Sequence, residues 1–204
     1  MLENTSGNKT FVSTFEGKFT VKSDANNPRA KKRVNKNNVE VFELQFDTIT
    51  GVIENIFDNT QEGAYGTFRN IVLIVRDGDE VYSLSVPYSS RESKGILMRL
   101  PNADITKPIK IKIGRKEHIF TWITQNEVTV PLRWTKDAPG DMPRMVQTGD
   151  KTWDDTDQMA FLYDYIQKHV LIKPTAIPDP GSTDVARNVS SLPTPTGTDE
   201  DLPF

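Results

Sequence analysis

The chain has 204 residues, 36% hydrophobic and 26% charged, which suits one domain of ordinary size with some unstructured tail. It has no cysteine, which excludes disulfides, thiolate metal sites and cysteine nucleophiles and fits a reducing cytosol; its two histidines, His118 and His169, lack the spacing of a zinc site or a catalytic triad. The net charge of −3 is uneven: residues 1–148 carry 21 Lys and Arg against 18 Asp and Glu, so a mildly basic body precedes an acidic tail.

Met1-Leu2-Glu3-Asn4 lacks the blocks of a secretory signal, and no apolar run reaches the ~18 residues that span a bilayer. The expected product is soluble and cytoplasmic, with no membrane partner. Residues 10–22 read as an extra strand or two, with Phe11, Phe15 and Phe19 spaced awkwardly for either period. The densest basic run, Arg29, Lys31, Lys32, Arg33 and Lys36, lies among asparagines and reads as a mobile loop able to close over phosphates, or as solvated surface.

A long β segment over residues 39–57 alternates through Phe42, Leu44 and Phe46 and changes phase near Gly51, where a bulge or sharp bend is expected. Tyr65, between Gly63 and Gly66, falls in the loop that follows. Residues 68–76 and 80–87 flank Asp77-Gly78, a hairpin signal. Ser89 and Glu92 form a Ser-x-x-Glu capping box for a short helix, with Ile96, Leu97 and Leu100 apolar and Pro101 as its stop. Residues 107–113 and 119–124 make a second hairpin, and residues 128–135 another β-like stretch, in which Trp134 alternates with apolar positions and reads as core.

Three strands, a helix and two strands give a mainly β fold class: an OB-fold-like five-stranded barrel with extra N-terminal strands and a short helix between strands 3 and 4. A different small β-barrel remains open. Residues 152–170 predict a C-terminal helix with Asp154 as N-cap and Met159, Leu162, Ile166 and Val170 on one stripe, which packs on the domain or binds a partner. The domain thus spans 1–172. Residues 173–198, rich in Pro, Thr, Ser and Gly, read as a disordered linker, reaching roughly 25 to 30 Å.

The chain finishes in Asp199, Glu200, Asp201, Leu202, Pro203 and Phe204. A terminal Phe offers a ring for an apolar pocket and a carboxylate for a neighbouring cation, Pro203 limits the conformations frozen on binding, and the acidic residues steer toward a basic surface. This tip resembles that of bacterial single-stranded DNA-binding proteins, over six residues of 204, while the body lacks those proteins' strand sequences. The resemblance implies a divergent phage or mobile-element member that recruits replication, recombination or repair enzymes in a bacterial host.

Binding single strands needs cations for phosphates and flat rings for bases, and the 107–124 hairpin holds both. If Ile113 pairs with Ile119, the isoleucines share the core face and Lys110, Lys112, His118, Phe120 and Trp122 the other; Arg115 and Lys116 lie in the turn. A one-residue slip, or the extra strand or helix packing over this face, would bury Phe120 and Trp122 instead. Phosphate loops, zinc-protease motifs and nucleophile elbows are absent from the sequence, so no catalysis and no cofactor are expected. The partners expected are single-stranded DNA and the enzymes that dock the tip, with homo-oligomers possible. An adaptor that uses the tip without binding DNA and an RNA-binding OB protein are the alternatives.

Overall fold

A computed structural model describes residues 9–35, 38–63, 66–150 and 152–171. Lys36, Tyr65, the 173–198 linker and the tip from Asp199 to Phe204 lie outside the described residues. Ten strands form one curled sheet: β1 (Lys9–Phe15), β2 (Lys18–Lys22), β3 (Lys31–Val34), β4 (Glu40–Phe46), β5 (Thr48–Gly63), β6 (Gly66–Asp77), β7 (Glu80–Pro87), β8 (Ile109–Arg115), β9 (Ile119–Gln125) and β10 (Val128–Thr129). Their order across the sheet is β10-β9-β8-β5-β6-β7-β1-β2-β4-β3. Two helices, α1 (Arg91–Leu97) and α2 (Thr156–His169), and a two-stranded ribbon, β11 (Val146–Gln147) with β12 (Trp153–Asp154), complete the fold.

The sheet is wider than the expected five-stranded barrel with a strand or two added at its N-terminal side: the N-terminal segment is a full hairpin, β1–β2, and β3, β4 and β10 add three further strands. Glu16 and Gly17 both take positive φ, 49° and 76°, as a tight two-residue turn requires. The turn explains the phenylalanine spacing: Phe11 and Phe15 point away from the core, and the reversal sends Phe19 into it with no exposed surface. β1 then runs parallel to β7, Val12 opposite Leu84, and carries the sheet on into β2, β4 and β3.

The long segment expected over 39–57 is broken at Asp47 into β4 and β5, and β5 is the strand that changes partners. Thr48 to Gly51 pair with β8, and from Val52 onward the strand pairs with β6. Gly51 is the pivot, with φ 154° and no room for a side chain: a Cβ there would lie 2.4 Å from the Arg76 carbonyl oxygen. A bulge follows between Ile53 and Asn55, which bends the strand further.

Past Gly51 one edge of β5 has no strand beside it, and α2 covers that edge. The Ile56 carbonyl accepts from Gln167 Nε2 at 2.7 Å, and the Asp58 N–H donates to Tyr163 Oη at 3.1 Å, so backbone groups that would otherwise be unpaired are satisfied by side chains. The α2 stripe Met159, Leu162 and Ile166 is fully buried, with Val170 half-buried. Each such side chain contributes about 1.5 to 3 kcal/mol. The helix starts four residues later than expected, because Trp153 and Asp154 are taken by the ribbon; Asp154 instead accepts from Thr156 N–H at 2.9 Å. Asp155 stands at the N-cap and pairs with Lys94 of α1 at 2.7 Å.

Other boundaries are also corrected. Ser90, not Ser89, caps α1, accepting from the Ser93 N–H at 3.1 Å, while Glu92 is buried. Beyond β10 the expected strand over 128–135 is irregular, since Arg133 N–H turns aside to the Met98 carbonyl at 2.7 Å; Trp134 is core, edge-on to Phe161 and Tyr165. Part of the basic run is a strand and not a loop: Lys31–Val34 pairs with β4 as the sheet's outer strand.

Candidate nucleic-acid interface

Strand alternation sorts the β8–β9 hairpin cleanly. Ile109, Ile111, Ile113 and Ile123 are buried with Thr121, while Lys110, Lys112 and Trp122 are exposed and Phe120 is half-buried. The register differs from the expected one: Ile113 faces Thr121, and Arg115 faces Ile119. That shift is two residues, an even number, so each side chain keeps its face.

On the outer face Trp122 stands directly across from Lys112, and Lys110 across from Thr124 on one side and Thr50 on the other. The Trp122 indole remains 40% exposed and meets Phe120 edge-on, ring centroids 4.1 Å apart. The tip of the Phe120 ring lies against Gly114, where a Cβ would come within 2.4 Å of it. The glycine thus lets the ring settle on the backbone and buttress Trp122. A cleft of about 600 Å³ opens beside Trp122 between Lys110, Lys112, Thr50 and Thr124. Neither lysine has an ion-pair partner among the described residues.

The remaining basic candidates divide. Arg33 donates to both carboxylate oxygens of buried Glu43, at 2.8 and 2.6 Å, and its guanidinium stacks 4.4 Å over the Phe15 ring. That hydrogen bond to Glu43 raises its already high pKa further. Arg33 is therefore committed to the fold. Lys32 is paired with Glu40 at 2.5 Å and Arg115 with Glu16 at 3.2 Å. Arg29 and Lys31 are exposed and unpaired among the described residues, and Lys116 is exposed in the β8–β9 turn.

Asp47, at the β4–β5 break, is paired with Lys18. A hydrogen bond from Lys18 holds its carboxyl below the ordinary range, and the fields of Lys112 and Lys31 add to the effect.

The sequence reading did not identify the aromatic surface on the other half of the same outer face. Phe11, Phe15, Phe57 and Phe68 all point away from the core there, Phe11 with 71% of its surface exposed. The signal was present in the four-residue step from Phe11 to Phe15 followed by Glu16-Gly17, but its meaning depended on recognising the turn. Between Phe11 and Phe57 runs a groove of about 880 Å³. Among the described residues no group of His, Asp or Glu is placed to hold a metal ion, and no helix is long and apolar enough to cross a membrane. Set against protein-family models, curated proteins and solved structures, the chain matches none of them.

Proposed function

We propose that this chain is a non-catalytic single-stranded DNA-binding protein, which coats exposed strands and recruits replication, recombination or repair enzymes through Asp199 to Phe204. The observation that carries the reading is Trp122, held upright by Phe120 across from unpaired Lys112 and beside unpaired Lys110. A ring for a base next to cations for the flanking phosphates is what sequence-tolerant binding of single strands needs. Strand neighbours support an OB reading. The succession β5, β6, β7, α1, β8, β9 with sheet order β9-β8-β5-β6-β7 follows a five-stranded OB path whose third strand takes β1 as its neighbour. In that reading the β8–β9 turn with Arg115 and Lys116, and the connection from β5 to β6, correspond to the loops with which OB-folds contact oligonucleotides.

Fluorescence anisotropy of a labelled oligo-dT, titrated at several salt concentrations, tests this. Tight binding that weakens steeply with salt and resists duplex competitor supports the proposal. Absence of binding, with and without residues 199–204, would instead leave the tip as an adaptor's docking signal, and displacement by oligo-rU at equal concentration would move the assignment to RNA.

A further inference from the structure

We infer that the groove between Phe11 and Phe57 is a second base-stacking subsite for the same single strand, so that the added hairpin β1–β2 extends the DNA path beyond the β8–β9 surface. The inference rests on the proposed function and adds residues that it does not need.

Four observations point the same way. One is exposure: Phe11 keeps 71% of its surface in solvent in mid-strand, with Lys9 Nζ 5.6 Å from the ring centroid, and a ring so presented is costly unless something covers it. Another is the floor. Cross-strand register sets Phe57, Val72, Ser85 and Ser13 in one row and Ser83 beside Phe11, so the short serines leave the space between the two rings open. At ~4.8 Å between strands, the rows of Phe57 and Phe11 lie about 14 Å apart along the sheet, a gap that holds about three bases stacked at ~3.4 Å.

The third observation is unused hydrogen-bonding capacity. Asn59, Gln61, Ser83 and Ser85 line the groove, and their side chains make no hydrogen bond among the described residues; amides and hydroxyls of this kind can address base edges. The last is charge. Lys9 and Lys22 line the groove without ion-pair partners among the described residues, and Glu43, across from Lys22 in the sheet, is already held by Arg33. The floor between the rings mixes Val72 with Ser83 and Ser85, and rings, unpaired polar groups and free cations in one groove together fit a nucleic-acid strand.

The test compares Phe11→Ala and Lys22→Glu with the unaltered chain, using oligo-dT of ~8 and ~25 nucleotides, one within and one beyond the roughly 4 to 16 nucleotides an OB-fold covers. Both positions are exposed, and thermal melts of the variants show whether the fold is intact. Phe11→Ala should weaken binding of the long oligomer about tenfold, and Lys22→Glu should lower the slope of log affinity against log salt by about one. The ~8-mer, accommodated at Trp122, should change far less. A strand carrying photoreactive 5-iodouracil should cross-link to Phe11 or Phe57 as well as to Trp122. Unchanged long-oligomer affinity in folded variants, or cross-links confined to β8 and β9, would overturn the second subsite while leaving the proposed function standing. Failure of the unaltered chain to bind either oligomer would instead overturn the function on which the subsite rests.

Discussion

At Trp122 the proposed chemistry depends on one side chain staying upright and half in solvent. Its replacement by Ala should cost about 1 to 3 kcal/mol of single-strand affinity, the value of one stacked base, with little change in melting temperature; anisotropy and calorimetry separate the two. Gly51 makes the opposite case. A methyl group there meets the Arg76 carbonyl at 2.4 Å in a backbone conformation that side chains rarely adopt, so Gly51→Ala should destabilise the fold by about 2 to 4 kcal/mol in urea unfolding. Arg33, expected from sequence to touch phosphate, belongs with Gly51. Truncation to Ala would strand the Glu43 carboxylate with 6% of its side chain exposed, and the loss should appear as about 2 kcal/mol of stability, the part-exposed arginine keeping it below the value of a fully buried pair. Asp47 is a negative charge among Lys18, Lys31 and Lys112. Its folded pKa is depressed, so its contribution to stability is present above the ordinary carboxylate pKa near 3.8 and is lost as pH falls below it. Under the proposed function, Asp47→Asn should raise affinity for oligo-dT by removing a negative charge from the field around Lys112.

The hairpin β8–β9 shows how an element's faces can be legible when its pairing is not. Isoleucine at every second position fixed which side is buried, and because the true register differs from the expected one by two, Lys110, Lys112, Phe120 and Trp122 stayed together. The basic run escaped recognition as a strand for a related reason. Lys31, Lys32 and Arg33 have no apolar alternation, so nothing local announces a strand; they form one because β4 offers a ladder and because Glu43 gives Arg33 a buried partner. α2 was readable from its stripe, but its task as the cover for the bare edge of β5 was not, since that depends on where β8 leaves off. Leu162→Ala should therefore cost about 2 to 5 kcal/mol and, by loosening the Gln167 and Tyr163 bonds to Ile56 and Asp58, raise amide exchange along residues 56–58 more than along β7. Equal protection loss in β7 would argue against the covering role.

Over the whole molecule the division of charge governs the expected salt dependence. The body up to residue 148 has more basic than acidic residues and the terminal residues add three carboxylates, so under the proposed function the tip competes with DNA for Lys110, Lys112 and their neighbours. Removal of residues 199–204 should tighten oligo-dT binding, most at low ionic strength and little above ~0.5 M salt, where screening shortens to a few ångströms. Affinity unchanged by the deletion across the whole salt range would show that tip and groove act independently.

Composition and local pattern alone determined that the chain is mainly β, that a capped helix separates two hairpins, that a second helix closes the domain, and which hairpin face carries lysine and aromatic side chains. These depend on periodicity, turn residues and caps, all of which act within a few positions along the chain. Tertiary structure decided the rest: that β1 runs parallel to β7, that β5 changes partner at Gly51, that Arg33 is spent on Glu43, and that Phe11 and Phe57 face one groove. Each of those brings together residues far apart in sequence, through backbone ladders whose donors and acceptors are the same for every residue type, so the side-chain pattern carries no record of which strand will be the neighbour.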